Sequence, residues 1–212
     1  MQTSLAMKGL FNYHRNSAQV LAKRLIEPCD VFLNHRSPDT KRTVATLLYD
    51  NLRMHGFNPF LDEKNMKPGD KLFDKINGGV VECKIGVAVF SPRYCESYFC
   101  LHELALLTAC KKKVIPIFCD VKPSQLHVVN HGNWSNDELR RFRWALDEAK
   151  NTVGLTFNSS KGNLSEFVAN ASEIIIESMT ELQSEEQMKY MQMKQMTAGN
   201  HVRKHMHLPI PA

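Results

Sequence analysis

The sequence has no long apolar run, although 43% of its 212 residues are hydrophobic. The longest apolar runs, such as Val114–Cys119, fall far short of the roughly 20 residues that a helix needs to cross a bilayer. This shortage excludes a membrane-spanning helix, while the overall hydrophobic content is sufficient for a buried core. At this length we expect one domain with terminal extensions.

Cysteine pairs at C-x-x-C spacing are also missing. The six cysteines are scattered along the chain, at Cys29, Cys83, Cys95, Cys100, Cys110 and Cys119. They suit reduced thiols better than a disulfide framework or a zinc site. A strong excess of one charge is absent too, because 27 basic and 22 acidic residues leave a formal charge of +5. That balance allows an anionic ligand but does not demand nucleic acid.

No complete metal-binding motif is present. His102 and Glu103 begin like the H-E-x-x-H motif of zinc proteases, but Leu106 stands where the second histidine is required. His127 and His131 are four residues apart in a predicted loop without a nearby pair of acids. We therefore expect no metal ion.

The two ends of the chain differ in composition from its middle. Residues 1–28 contain four Lys/Arg and a single acid, with apolar positions compatible with a helix. Such a segment is typical of an organelle-targeting peptide; the alternative is a flexible arm or a helix packed on the domain. Residues 183–212 are rich in Met, Gln and Lys, which predicts a disordered or partly helical tail. The predicted domain therefore covers residues 29–182.

Within residues 29–182, short apolar segments alternate with amphipathic helical patterns. Strands are predicted at Cys29–Asn34, Phe57–Leu61, Lys84–Phe90, Val114–Cys119 and Val153–Phe157. Five helices are predicted. The first runs from an N-cap at Asp39 or Thr40 to His55, with Gly56 as a natural C′ residue. The others run from Asp70 to Val81 with Leu72, Ile76 and Val80 inward, from Phe99 to Cys110, from Asp137 or Glu138 to Lys150 with Phe142, Ala145, Leu146 and Ala149 inward, and from Leu164 to Leu182. This alternation predicts an α/β fold with a five-stranded parallel sheet and helices on both faces. The proline at position 59 places the second strand at an edge or a bulge.

Glu103 is the best single candidate for chemistry. It follows the buried strand Lys84–Phe90 and lies one turn into the next helix. In open α/β sheets, ligands bind at such strand-to-helix junctions, at the carboxyl ends of the strands. The alternative is that a glutamate in the first turn only complements the helix dipole.

Four segments in one order carry a family resemblance: DVFLNHR with DTKRT behind it, then FLDEKNMKPGD, then GVAVFSPRYCESYFCLHEL, then PIFCDVKPS. Together they resemble plant TIR domains over residues 29–182, in the TIR-only variety of grasses. The resemblance implies a flavodoxin-like fold that cleaves NAD+ at the nicotinamide–ribose bond. Cyclic ADP-ribose variants then act as signals in plant innate immunity and cell death. NAD+ is the substrate, and no cofactor is implied.

The resemblance also implies roles for particular residues. Glu103 matches the catalytic glutamate, Phe99 an aromatic that packs beside the nucleotide, and Cys100 a cysteine linked to the synthesis of 2′,3′-cyclic nucleotides. The loop after the first strand supplies further substrate-binding candidates, which are His35, Arg36, Ser37, Asp39 and Thr40. The segment Asp62–Asp70, called the 62–70 loop below, matches a mobile loop that completes a neighbouring subunit's site, with Asp62, Lys67 and Gly69 as its candidates.

Three positions depart from the family pattern. The usual Ser-Phe-Arg-Gly reads Asn34-His35-Arg36-Ser37, and the usual Arg-Gly of the mobile loop reads Pro68-Gly69. The Ser-His pair that many relatives use for self-association reads Thr46-Leu47. The first departure leaves room for a non-catalytic adaptor, and the last puts the familiar dimer in doubt.

Three hypotheses follow. The first is an NAD+ glycohydrolase and cyclase, switched on by self-association through TIR–TIR contacts and needing Glu103. The second is a non-catalytic adaptor that works by homotypic assembly or with other TIR proteins. The third is a nucleic-acid-dependent synthetase that needs Cys100. For each we expect a cytoplasmic protein, with the nucleus as the alternative compartment, and no membrane partner.

Overall fold

Five parallel strands form the centre of the protein. The structure is a computed structural model that describes residues 29–130 and 134–205; the predicted targeting segment 1–28 lies outside them. The strands are β1 (Val31–His35), β2 (Pro59–Phe60), β3 (Ile85–Phe90), β4 (Lys113–Cys119) and β5 (Leu155–Phe157). Their order in the sheet is β2-β1-β3-β4-β5. The predicted α/β fold is therefore confirmed, in the flavodoxin-like strand order.

The strand lengths follow their place in the sheet. β3 lies between β1 and β4, and all six of its residues are buried. Helices cover both of its faces, which explains why its sequence is continuously apolar rather than alternating. β2 lies at the edge, as Pro59 predicted, but it pairs over only two residues instead of the five expected. Proline cannot donate to a ladder, so the pairing is short.

Helices connect the strands. The main helices are α1 (Ser37–Thr40), α2 (Thr46–Met54), α3 (Asp62–Asn65), α4 (Leu72–Glu82), α5 (Tyr98–Ala109), α6 (Asn136–Lys150) and α7 (Leu164–His205). A π-helical turn, Lys41–Ala45, joins α1 to α2, and two 3₁₀ turns lie at Tyr94–Glu96 and Pro123–Gln125. None of the helices in the described ranges is long and apolar enough to cross a membrane.

The helices form a layer on each face of the sheet. On one face, Leu48 of α2 and Ile175 of α7 pack with alternate residues of β1, β3 and β4. On the other face, Leu104 of α5 and Phe142 of α6 pack around Phe90 and Phe118, while α4 covers Phe32. The predicted inward positions of α6 are all buried: Phe142, Ala145, Leu146 and Ala149.

Three predicted helix features are wrong. The helix after β1 begins at Ser37, before the expected caps Asp39 and Thr40, because Pro38 presets a helical first turn. Leu72 is 40% exposed, since it is the first residue of α4 and precedes its buried stripe. α7 does not end near Leu182 but continues to His205, through residues such as Glu, Gln, Met and Lys that favour helix. The end of the tail, 206–212, lies outside the described residues.

The topology singles out one edge of the sheet. After β1 the chain crosses to β2 on one side, and after β3 it crosses to β4 on the other side. β1 and β3 are neighbours, and their carboxyl ends meet where His35 pairs with Val89. The strand order reverses here, and such a switch point is where open α/β sheets bind ligands.

Candidate active site

Glu103 lies on α5, directly beside this switch point. The helix begins after Ser97, whose Oγ accepts a hydrogen bond from the backbone N of Cys100 at 3.4 Å. Neighbouring residues Leu101, Leu104, Ala105 and Leu107 are all buried, so α5 presents apolar side chains on more than one side. Glu103 itself is only 7% exposed. A glutamate is rarely buried to this extent without a partner.

The partner of Glu103 is Asn34, the fourth residue of β1. Asn34 Nδ2 donates to Glu103 Oε2 at 2.7 Å and to the carbonyl oxygen of Cys100 at 3.0 Å. The Tyr94 hydroxyl bonds Asn34 Oδ1 and lies 3.0 Å from the same Cys100 carbonyl. Asn34, Tyr94 and the first turn of α5 thus hold the carboxyl group in one orientation.

Burial, and to a smaller extent the negative charge of Asp62, raises the pKa of Glu103 to about 8. The hydrogen bond from Asn34 acts in the opposite direction. Removal from water disfavours the charged form of a carboxyl group unless a positive charge is near. At neutral pH the carboxyl group is therefore largely protonated in the free protein. A cationic ligand brought to this position would favour the carboxylate.

His35 links β1 to the 62–70 loop. Its Nδ1 lies 3.1 Å from Thr40 Oγ1, and its Nε2 lies 3.8 Å from Asp62 Oδ1. The ring is buried, and Nε2 has no hydrogen-bond partner. Cys100 Sγ donates to the backbone oxygen of His35 at 3.3 Å. The structure thus places four of the predicted site residues, His35, Thr40, Asp62 and Cys100, next to one another. His35 directly follows Asn34, the hydrogen-bond partner of Glu103.

Arg36 is held by acidic side chains on the same edge. Its Nη1 lies 2.6 Å from Asp39 Oδ1, and its Nη2 lies 3.8 Å from Glu96 Oε2. Ser91, the residue after β3, donates to the other oxygen of Asp39 at 2.6 Å. An anionic ligand at Arg36 would compete with these two carboxylates. Ser37, also a predicted site residue, begins α1 immediately after Arg36.

Phe99 lies on the rim of the site and is 38% exposed. It precedes Glu103 by four residues on α5, so the two side chains belong to the same side of the helix. Its ring centroid is 5.5 Å from that of Phe73 and 5.9 Å from that of Tyr98. The expected aromatic therefore faces solvent beside the buried carboxyl group.

The far half of the 62–70 loop is closed by two hydrogen bonds between Lys67 and Asp70. Lys67 N donates to Asp70 Oδ2 at 2.9 Å, and Asp70 N donates to Lys67 O at 3.0 Å. Gly69 adopts φ +96°, a left-handed conformation that favours glycine. Among the described residues, Lys67 and Gly69 do not belong to the hydrogen-bond network of Glu103. The structure thus brings Asp62 to the site but not these two.

Cys100 is poorly suited to act as a nucleophile. It is buried, and burial raises the pKa of its thiol well above the usual range, with the negative charge of Glu103 adding to the effect. The thiolate, not the thiol, is the reactive form. In residues 29–130 and 134–205, no three His, Cys, Asp or Glu side chains are grouped so as to hold a metal ion. All six cysteines are free.

A family model described as "TIR domain" matches residues 29–198, about four fifths of the chain. The chain belongs to the TIR-domain family. The match extends past the predicted domain boundary at Leu182 and includes residues 183–198 of α7.

Named relatives give this TIR domain a context in plants. A Brachypodium distachyon protein, "Probable 2′ cyclic ADP-D-ribose synthase BdTIR", is 45% identical over 159 residues, which cover 73% of this chain and 71% of that protein. The "TMV resistance protein N" of Nicotiana glutinosa is 35% identical over 62% of this chain, but the match spans only 13% of that longer protein. The TIR domains of the activated Roq1 resistosome match with a TM-score of 0.62 and 29% identity, over 69% of this chain and 99% of that chain.

Sequence reasoning missed two residues of this TIR domain's site. Asn34 was noted only as a departure from the family pattern, and Tyr94 was not selected at all. A signal for Asn34 existed: it is a polar residue inside the otherwise apolar strand β1, and buried polar groups require partners. Tyr94 had no such signal, because its hydroxyl reaches Asn34 across 60 residues of sequence.

Proposed function

We propose that this TIR domain cleaves NAD+ at the nicotinamide–ribose bond, and releases nicotinamide with ADP-ribose or a cyclic ADP-ribose variant. The product acts as a signal in plant innate immunity and cell death. The observation that carries the proposal is a single buried carboxyl group, Glu103, fixed by Asn34 at the switch point of the sheet. The name of the Brachypodium relative supports the same reaction.

The chemistry needs one carboxylate rather than two. Nicotinamide is cationic in NAD+ and leaves as a neutral molecule, so the leaving group needs no acid. The barrier lies in the positive charge that develops on the ribose, as in other glycosidic cleavages. A carboxylate in a water-poor site stabilises that charge more strongly than one in solvent. The cationic substrate would itself shift Glu103 towards its carboxylate form.

Other residues of the site have binding roles in this proposal. Arg36 binds the pyrophosphate as a bidentate donor once it exchanges Asp39 or Glu96 for phosphate oxygens. Lys67 adds a second cation when the 62–70 loop closes. Phe99 offers an exposed ring to a base. Water or adenine then attacks the anomeric carbon, and loop closure decides between them. No cofactor is required.

We further propose that self-association controls this activity. The TIR domains that this chain resembles belong to an activated resistosome. In this chain the position of the usual Ser-His pair holds Leu47, a residue of α2 that is 40% exposed. We propose that Leu47 gives the contact an apolar character. Cytoplasm or nucleus is the proposed site of action.

Turnover of NAD+ by the full chain tests the proposal. The purified protein is concentrated, or bound to a crowding surface, and nicotinamide is measured by chromatography. Glu103→Gln should abolish its release, whereas the exposed, remote change Glu166→Gln should leave it intact. Equal turnover by wild type and Glu103→Gln would remove the enzymatic proposal. If Glu103→Gln also signalled normally in a cell-death assay, the adaptor hypothesis would replace it.

A further inference from the structure

The second half of α7 carries exposed apolar side chains. Every residue from 183 to 194 is exposed, and four large ones are more than half exposed: Met188, Tyr190, Met191 and Met193. The helix runs 23 residues beyond Leu182, or about 34 Å at 1.5 Å per residue. A helix with no covered face is marginally stable in water. An exposed apolar group of this kind marks an interaction surface.

A shallow groove of about 560 Å³ runs along one side of α7, between residues 176 and 188. Its floor follows one side of α7 in steps of four residues, and glutamates flank it. The lining residues are Ile176, Glu177, Thr180, Glu181, Ser184, Glu185 and Met188. Because positions four apart lie on one side of a helix, the groove forms a continuous strip that a second helix would fit.

The charges of α7 are divided between its two halves. Residues 164–186 contain six glutamates and no Lys or Arg, whereas residues 187–205 contain four Lys/Arg and no acid. Two glutamates already have cationic neighbours: Glu181 lies 3.2 Å from Lys113 Nζ, and Glu185 lies 3.9 Å from Lys189 Nζ. A partner helix that matches this pattern must be basic along the groove and acidic beyond Met188.

We propose that the partner is α7 of a second copy of this chain, in antiparallel orientation. The antiparallel arrangement sets the acidic half of each copy against the basic half of the other. A parallel arrangement would set acid against acid. The boundary between the halves lies near residue 187, so Met188 of each copy lies next to the two-fold axis. Such a self-complementary contact closes as a dimer. This contact does not include Leu47.

Charge reversal tests the pairing in the full-length protein. Association is measured by sedimentation equilibrium for wild type and for Lys189→Glu with Lys194→Glu. The reversed pair should weaken dimerisation at least about tenfold, since attractive contacts become repulsive on both sides of the axis. A matched control, Arg140→Glu with Arg143→Glu, makes the same charge change on exposed residues of α6, on the other face of the sheet, and should not weaken it. Added salt should weaken the wild-type dimer.

A complete swap of charge tests the orientation. Glu177→Lys, Glu185→Lys and Glu186→Lys are added to the reversed pair, so that the charge of residues 177–186 changes from −4 to +2 and that of residues 187–194 from +2 to −2. The fivefold variant should dimerise with itself again but should not form mixed dimers with labelled wild type, since like charges would then meet. Preferential mixing would indicate parallel pairing and overturn the proposal. An unchanged dissociation constant for the reversed pair would also overturn the proposal. A monomeric wild type would overturn it too, even if the monomer bound anionic vesicles through this helix.

Discussion

Replacing Glu103 with glutamine should remove a pH-dependent cost of folding. The pKa of Glu103 is raised from 4.5 to about 8 in the folded protein. Between these values the folded state binds a proton that the unfolded state has lost. The free energy of unfolding therefore falls as pH rises, at up to about 1.4 kcal/mol per pH unit. From pH 5 to pH 8 the loss from this one group is about 3 kcal/mol.

Urea unfolding at intervals from pH 5 to pH 8 measures this effect. Glutamine is uncharged and similar in shape, so the Glu103→Gln variant should lose less stability than wild type as pH rises. Titratable groups present in both proteins contribute equally to the two pH profiles, so their contributions cancel when one profile is subtracted from the other. One such group is His102, whose pKa is lowered by burial. Glu166→Gln, an exposed control, should follow wild type. Parallel pH profiles for wild type and Glu103→Gln would contradict this prediction, because Glu103 would then titrate as a solvated carboxyl group.

Three further predictions concern the same site. Tyr94→Phe removes the hydroxyl that bonds Asn34 and the Cys100 carbonyl; it should lower the free energy of unfolding by about 1–3 kcal/mol in denaturant titrations and slow NAD+ turnover. In NAD+ cleavage, kcat/KM should rise with pH through about 8, where Glu103 of the free protein becomes a carboxylate. The value of kcat should reach its plateau at lower pH, because the bound cationic substrate favours the carboxylate. A kcat/KM profile that is flat from pH 6 to 9 would contradict this prediction. A thiol reagent at neutral pH should label Cys110 first and the other five cysteines only after unfolding, because Cys110 alone among the six is not buried. Rapid labelling of Cys100 in the folded protein would contradict the structure.

The sequence contains the information for much of this fold. Continuous burial of β3 was readable from its apolar run, and Gly56 was readable as a helix end; it adopts φ +83° two residues after α2. The position of Glu103 after β3 was also readable, because topology places such a junction at the carboxyl edge of the sheet.

The remaining features depend on contacts between distant residues. Periodicity places Glu103 near the sheet but does not reveal that Asn34 and Tyr94 hold it, because those bonds join positions 60 or more residues apart. The pairing of Arg36 with Asp39 and Glu96 depends on local geometry that residue spacing does not determine. Composition of the tail suggested weak order, whereas helix propensity favoured the continuation of α7 to His205.

The position of Glu103 relative to a bound ribose distinguishes a catalytic carboxyl group from a purely structural one. A crystal structure of the assembled protein with a non-cleavable carbocyclic NAD+ analogue would measure it. We predict a Glu103 carboxyl oxygen within about 3 Å of a hydroxyl of the nicotinamide ribose, with Arg36 against the pyrophosphate. An analogue bound with its ribose beyond reach of Glu103 in every copy would contradict the account.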